Sequence, residues 1–300
     1  MPETNNVRAE ITAENGVETY IGELIKKIPK LPPYASSLAA KLMDEKVSMI
    51  EVSDMIKSDP SITGLTLKVV NSPYYGFPMK ITNINQAVML LGIKQIYRIV
   101  MDNSLKSFFP PSYPEFEHLQ KHSYLVSILA EETADAAGRL QMAGLVSTLG
   151  LLHDIGRSAI MLLKRKDPQL TEKLDGVDHA KLGGQLLAFW GLPEQIHAPI
   201  SRYADLMSLP PDDLPDKVPP PPQEVAILYV AHVCSSLVLD DAEGKPDSAL
   251  FNLCMDSLGT DGMSADRFLK EKLSPRLSSR SRQFPQNIQA ALKNHLSSIW

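Results

Sequence analysis

Gly150-Leu151-Leu152-His153-Asp154-Ile155-Gly156 is the stretch that decides how the chain is read. It is the end of an apolar helix, it carries an adjacent His-Asp pair, and a glycine closes it. An imidazole and a carboxylate side by side are costly to bury unless something satisfies them. A metal ion is one answer. A hydrogen-bond network is the other: Asp154 can pair with Arg157, three residues on, and His153 can donate to a backbone carbonyl.

Moving outward, Leu145, Leu149 and His153 lie four apart and share a helix face. Asp154 shares another stripe with Ser147 and Gly150, small residues that let a second helix, or an ion, come close. Upstream, the pattern predicts a helix from Glu115 to Ala137, with Gly138 at its end. Leu119, His122, Val126, Leu129 and Thr133 recur on it at steps of three and four, so His122 points where the leucines point. Downstream, Asp178 is placed to cap a helix carrying His179, Leu182, Gly183, Leu186 and Trp190. Later, Glu224–Leu239 reads as a helix with Leu228 and His232 four apart. His122, His153, Asp154 and His179 thus come from three predicted helices and sit on apolar faces. Neutral imidazoles with a carboxylate form a nitrogen and oxygen donor set suited to Fe, Mn, Co, Ni or Zn. Such a set can polarise a phosphate and activate water.

The rest of the chain is also helical, and nothing alternates with period two over a useful length. Residues 1–17 read as a flexible lead-in. Glu18–Ile28 is a first helix, and Pro32-Pro33 opens a second that runs to about Lys46. Ser48-Met49-Ile50-Glu51 has the form of a capping box. Asp59-Pro60 starts a helix that reaches Asn71. Asn85–Leu91 ends on Gly92 as its C′ residue, and Ile93–Phe108 follows. Asn71 and Ser72 are expected to bond locally. Tyr74, Tyr75 and Phe77 are read as core packing, with an exposed aromatic patch as the alternative. Prolines at 110–114 mark the boundary. The expected fold is all-α in two helical subdomains, 18–110 and 111–300. The second carries a proline-rich loop at 208–223.

Composition narrows the class. Of 300 residues, 44% are hydrophobic and 22% charged, ordinary for a globular protein. The net charge of −5, with no basic run, argues against nonspecific nucleic-acid binding. Cys234 and Cys254 fit no metal spacing and no disulfide framework, which points to a reducing cytoplasm. The start lacks the charge and hydropathy pattern of a signal peptide. The apolar runs near Ala143–Leu152 and Val225–Leu239 are read as too short or too interrupted to span a bilayer.

From about Ile28 to Tyr203 the sequence resembles the HDOD family, the HD-related output domain of bacterial signalling. The resemblance rests first on Leu31-Pro32, Asp59-Pro60-Ser61-Ile62-Thr63, Asn71-Ser72 with Tyr74, and Ala87 through Leu91-Gly92. It rests next on His122-Ser123, the Gly150–Gly156 stretch, and Asp178-His179 with Gly183, Trp190 and Leu192-Pro193. It implies an N-terminal helical bundle packed on an HD-like helical bundle, and a regulatory role more often than a catalytic one. By the HD hydrolase pattern, His122, His153 and Asp154 fall on ligand positions. The last ligand of that pattern is an aspartate, and the aligned place here reads Ala231-His232, which makes His232 a substitute. Arg157 stands where a lysine is usual, and Arg202-Tyr203 where many relatives carry two histidines. The expectation is therefore a signalling module without turnover, acting through proteins such as a kinase, cyclase or response regulator. Its HD site is degenerate and holds either no ion or a divalent metal. A metal-dependent phosphohydrolase is the alternative, and a nucleotide sensor the third.

Overall fold

The computed structural model describes residues 21–44, 46–72, 75–108, 113–207, 209, 219–240, 248–260, 262–281 and 284–296. The lead-in at 1–17, Tyr74, most of the break at 110–114 and most of the loop at 208–223 lie outside the described residues.

Local signals start the elements of the first half. A short helix, α1 (residues 21–26), precedes α2 (Pro33–Leu42), which has proline in its first turn. α2 stops at Leu42, earlier than the sequence predicts. The Lys46 N–H donates to Asp44 Oδ1 at 2.9 Å, a local side-chain turn that competes with helix. α3 (Met49–Lys57) begins on a complete capping box. Ser48 Oγ accepts from the Glu51 N–H, and Glu51 accepts from the Ser48 N–H. In α4 (Pro60–Val70), Asp59 accepts from the Ile62 N–H at 3.3 Å. Asn71 then clamps the chain reversal. Its amide donates to Leu67 and Ile81 carbonyls, and its oxygen accepts from the Ile81 N–H. α5 (Ile84–Phe108) is two helical segments that meet at Gly92, whose φ of 75° lies where glycine is favoured.

The second half is built around α6 (Pro114–Ala136), α7 (Ala143–Leu152) and α11 (Gln223–Leu239). α11 is apolar on nearly every side, so it is enclosed. It packs on α6 and α7 and on α10 (Glu194–Met207) and α12 (Ser248–Ser257). α8 (Ile155–Lys166) and α9 (His179–Phe189) complete the bundle around the His-Asp turn. The Asp178 side chain caps α9, accepting from the N–H groups of Ala180 and Lys181. Helices at Ala265–Phe268, Ser274–Ser279 and Gln286–His295 close the far side.

The two bundles share one core. A single cluster of buried apolar side chains runs from Ile21 to Leu296 and draws on both halves. Trp190 Nε1 donates to the Pro29 carbonyl at 3.0 Å, and Ser36 Oγ donates to the Trp190 carbonyl at 3.0 Å. The stretch Leu140–Lys166 is long and apolar enough to cross a membrane by length and composition, more than the sequence reading allows. However, 72% of its most hydrophobic window is buried inside the fold, which is how a core helix pair behaves.

Candidate metal centre

The His-Asp pair sits in a turn between two helices rather than at the closed end of one. α7 ends at Leu152, His153 and Asp154 form the turn, and α8 starts at Ile155. Gly156 therefore does not close a helix. It lies in the first turn of α8, where a Cβ would fall 1.7 Å from the His179 carbonyl oxygen. Gly150 does the same for α6: a Cβ there would lie 2.7 Å from the Ser127 backbone. Two glycines thus let α6 and α9 close on the turn from either side.

This packing brings three imidazoles together. His153 Nε2 is 3.3 Å from His122 Nε2 and 3.2 Å from His232 Nδ1. One ligand atom from each of the three lies within 4.8 Å of the others. Asp154 Oδ2 is 3.4 Å from His153 Nε2 and 3.8 Å from His122 Nε2. His153 and Asp154 are 0% and 3% exposed. His179 stands apart from this convergence. It is partly exposed, and its Nε2 lies 3.7 Å from the outer oxygen of Asp154, Oδ1. Arg157 Nε meets that same oxygen at 3.4 Å.

Hydrogen bonds set the ring tautomers. His153 Nδ1 lies 2.9 Å from the Gly150 carbonyl. A carbonyl only accepts, so Nδ1 carries the proton, and in the neutral ring Nε2 presents a lone pair. His122 Nδ1 lies 3.2 Å from Ser235 Oγ, which can take its proton and leave Nε2 bare. The two contacts of the metal-free alternative are thus present, an ion pair from Arg157 to Asp154 and a hydrogen bond from His153 to a carbonyl, and neither uses up the inward-facing nitrogens. With both Nε2 atoms bare, the lone pairs of His153 and His122 face each other at 3.3 Å, an arrangement that a shared cation satisfies. Neighbouring ligand atoms around an ion with bonds of about 2.0–2.1 Å stand about 3.0–3.4 Å apart. The observed separations of 3.2 and 3.3 Å match that spacing. The donor set fits a divalent ion.

Electrostatics favour the same state. Burial, together with the neighbouring His153 and His122, holds His232 well below the usual histidine range, so it is neutral at pH 7. Burial pushes the Asp154 carboxyl up, but the neighbouring His153 and Arg157 outweigh it and keep the group well below the usual carboxylate range. A pocket of about 400 Å³ opens beside the cluster, lined by Asp154, Arg157, Asp178, His179, Tyr203 and His232 among others. The Tyr203 hydroxyl is buried there and has no hydrogen-bond partner among the described residues. Burial, with Asp154 nearby, raises it well above the usual phenol range, so it remains a donor.

A second buried cluster escapes the sequence reading. Arg98 of α5 is 3% exposed. Its guanidinium donates to Ser127 Oγ, Ser147 Oγ and Glu131, on α6 and α7. The signal available was one arginine inside the apolar run Ile96-Tyr97-Arg98-Ile99-Val100. Its partners lie 29, 33 and 49 residues away, beyond the reach of any local pattern.

An all-helical protein with an HD-like bundle and a His-Asp turn is the class this geometry defines. The chain belongs to the HDOD family: the HDOD domain model matches residues 28–206, more than half of it. Among solved structures, an HDOD domain protein of unknown function from Geobacter sulfurreducens superimposes with a TM-score of 0.61 at 23% identity. The match covers 93% of this chain and 99% of that one. A candidate metal-dependent phosphohydrolase from Shewanella amazonensis SB2B gives 0.55 at 19%, over 91% and 98%. A candidate signal-transduction protein from Marinobacter aquaeolei VT8 gives 0.64 at 16%, over 98% and 69%. At these identities the likeness concerns the fold. Curated relatives include an uncharacterized protein of Treponema pallidum, 23% identical over 63% of this chain, and YuxH of Bacillus subtilis, 29% identical over 49%. The matched regions span 40% and 36% of those relatives. Membership of the family supports a regulatory or HD-related role.

Proposed function

We propose that this chain is a cytoplasmic signalling module that holds one divalent transition-metal ion and acts through protein contacts, without turnover. The ligands are His122, His153, Asp154 and His232, and the ion is drawn from Fe, Mn, Co, Ni and Zn. The observation that carries the reading is the convergence of three imidazole nitrogens, with the His153 lone pair turned inward by the Gly150 carbonyl. A bound ion would supply Lewis acidity toward a phosphate oxygen or water. The small negative charge of the site disfavours turnover. It has one carboxylate, and the outer oxygen of that carboxylate already faces Arg157, which repels a second cation. The partners proposed are signalling proteins such as a kinase, cyclase or response regulator.

The test is metal stoichiometry on the full chain, loaded with each metal in turn and desalted. One equivalent per chain is expected, falling to background in His153→Ala and His232→Ala. Retention of the same metal in both variants would place the ion elsewhere and overturn the assignment. One observation favours a second reading, a metal-dependent phosphohydrolase: the pocket beside the cluster carries Arg157 and His179 at its lining. Metal-dependent turnover lost in both variants would establish it.

A further inference from the structure

A larger pocket lies where the two bundles meet, built from residues that take no part in the His-Asp cluster. Its volume, about 550 Å³, falls in the range of small-molecule sites. Part of its lining is aromatic and apolar. Tyr75 and Phe77 stack with ring centroids 6.1 Å apart and planes within 4° of parallel. Gln95 Nε2 donates to the Tyr75 hydroxyl at 3.0 Å, which fixes the tip of that ring. Leu90 and Leu91 continue the surface, and Leu90 is 45% exposed although large and apolar.

The rest of the lining is charged. Lys94, Arg98 and Arg280 contribute three cations, and Glu131 contributes one carboxylate. All three cations lean on Glu131, with Arg280 at 3.3 Å and Lys94 at 3.9 Å. Arg280 also pairs with Glu132, outside the lining, and the lining itself carries three cations to one carboxylate. Lys94 has the loosest hold, and its side chain is 41% exposed. The helical segment that starts after Gly92 places its first turn, Ile93 to Gln95, in the same lining, and that end of a helix favours negative charge.

An aromatic surface beside an excess of positive charge selects for a planar ring joined to an anionic group. We infer that this pocket binds a small aromatic anion of the mononucleotide class, with its ring against Tyr75 and Phe77 and its phosphate toward Lys94 and Arg280. The site is an input point. Tyr75, Phe77 and Lys94 belong to the N-terminal bundle, while Glu131 and Arg280 belong to the HD-like bundle. A ligand touching both changes how firmly the two are held together. This inference stands apart from the metal site and does not need it.

Calorimetric titration of the full chain, stripped of metal with a chelator, tests it. The probes are AMP, GMP, CMP and UMP, with adenosine, guanosine and inorganic phosphate as the two halves of the ligand. At least one mononucleotide is expected to bind, more tightly than either its nucleoside or phosphate alone. Phe77→Ala is expected to weaken it about tenfold or more, as the loss of a stacking contact does. Lys94→Glu, a half-exposed position whose change spares the core, is expected to weaken the nucleotide and leave the nucleoside unaffected. His153→Ala is expected to change nothing. Three results would each overturn the inference: no binding of any of the four at millimolar concentration, binding unaltered in both pocket variants, or binding that disappears in His153→Ala. The last would place the phosphate at the His-Asp cluster instead.

Discussion

Asp154 connects the two roles a buried carboxylate can play here, because it faces the imidazole cluster with one oxygen and Arg157 with the other. Replacing it with alanine removes a partner from His122, His153 and Arg157 at once. The expected loss of stability is about 1–3 kcal/mol, the cost of leaving buried polar groups unserved. The metal reading adds a second effect. The wild-type chain is expected to melt at a higher temperature when a divalent ion is added, and Asp154→Ala to show no such rise. A full metal-induced rise in Asp154→Ala would remove that residue from the ligand set. Glu131 allows a pH argument away from the metal. Burial pushes its carboxyl up, but Arg98, Arg280 and Lys94 outweigh burial and hold it below 4.5. Its folded pKa is therefore depressed. The stability it contributes is complete above 4.5 and is lost as pH falls through the folded value. Glu131→Ala strands the buried Arg98 charge and is expected to cost about 3–5 kcal/mol at neutral pH. Denaturant midpoints should show that difference shrinking as the pH falls below the carboxylate range. A difference independent of pH would contradict the account.

At the scale of elements, glycines set the distances between the helices that carry the ligands. A methyl group on Gly150 would drive α7 away from the Ser127 backbone of α6, separating His153 from His122. Gly150→Ala is therefore expected to lower stability by about 1–3 kcal/mol or more, as overpacking does, and to weaken metal binding with it. Gly144 sits on the same helix, where a Cβ would find its nearest neighbour at 3.8 Å. Gly144→Ala is expected to be neutral or to stabilise by up to about 1 kcal/mol through helix propensity. Thermal melts of the two variants read the contrast directly. The same elements show what was legible in the sequence. The Ser48 capping box, the Asp59-Pro60 start, the Gly92 break and the Asp178 cap are each decided within a few residues, and each stands as predicted. Helical spacing also placed His122, His153 and Asp154 inward. The end of α2 was missed because a side-chain turn at Asp44 competed with helix over a short polar stretch. His179 was expected among the ligands, yet its position at the start of α9 leaves it at the rim. The Arg98 cluster and the Tyr203 hydroxyl depend on contacts between distant helices, which no local period encodes.

At the scale of the whole molecule, the two bundles are joined by a shared apolar core, by Arg98 reaching from α5 to α6 and α7, and by Trp190 bonding to Pro29. Thermal unfolding is expected to be one cooperative transition, since neither bundle can open without exposing the core of the other. Two well-separated transitions by calorimetry would count against this. The candidate metal centre and the joint pocket then lie in one cooperative body, in which a ligand at either site is expected to shift the stability of the whole. The central claim is that the His-Asp cluster holds an ion without turning over a phosphoester. Steady-state assay of the metal-loaded chain tests it most directly, with Mn, Fe, Co, Ni, Zn or Mg supplied in turn, against cyclic di-GMP, cyclic AMP and a chromogenic phosphodiester. Rates are expected to be indistinguishable from those of His153→Ala and Asp154→Ala under every metal. Turnover by the wild-type chain that disappears in both variants would contradict it.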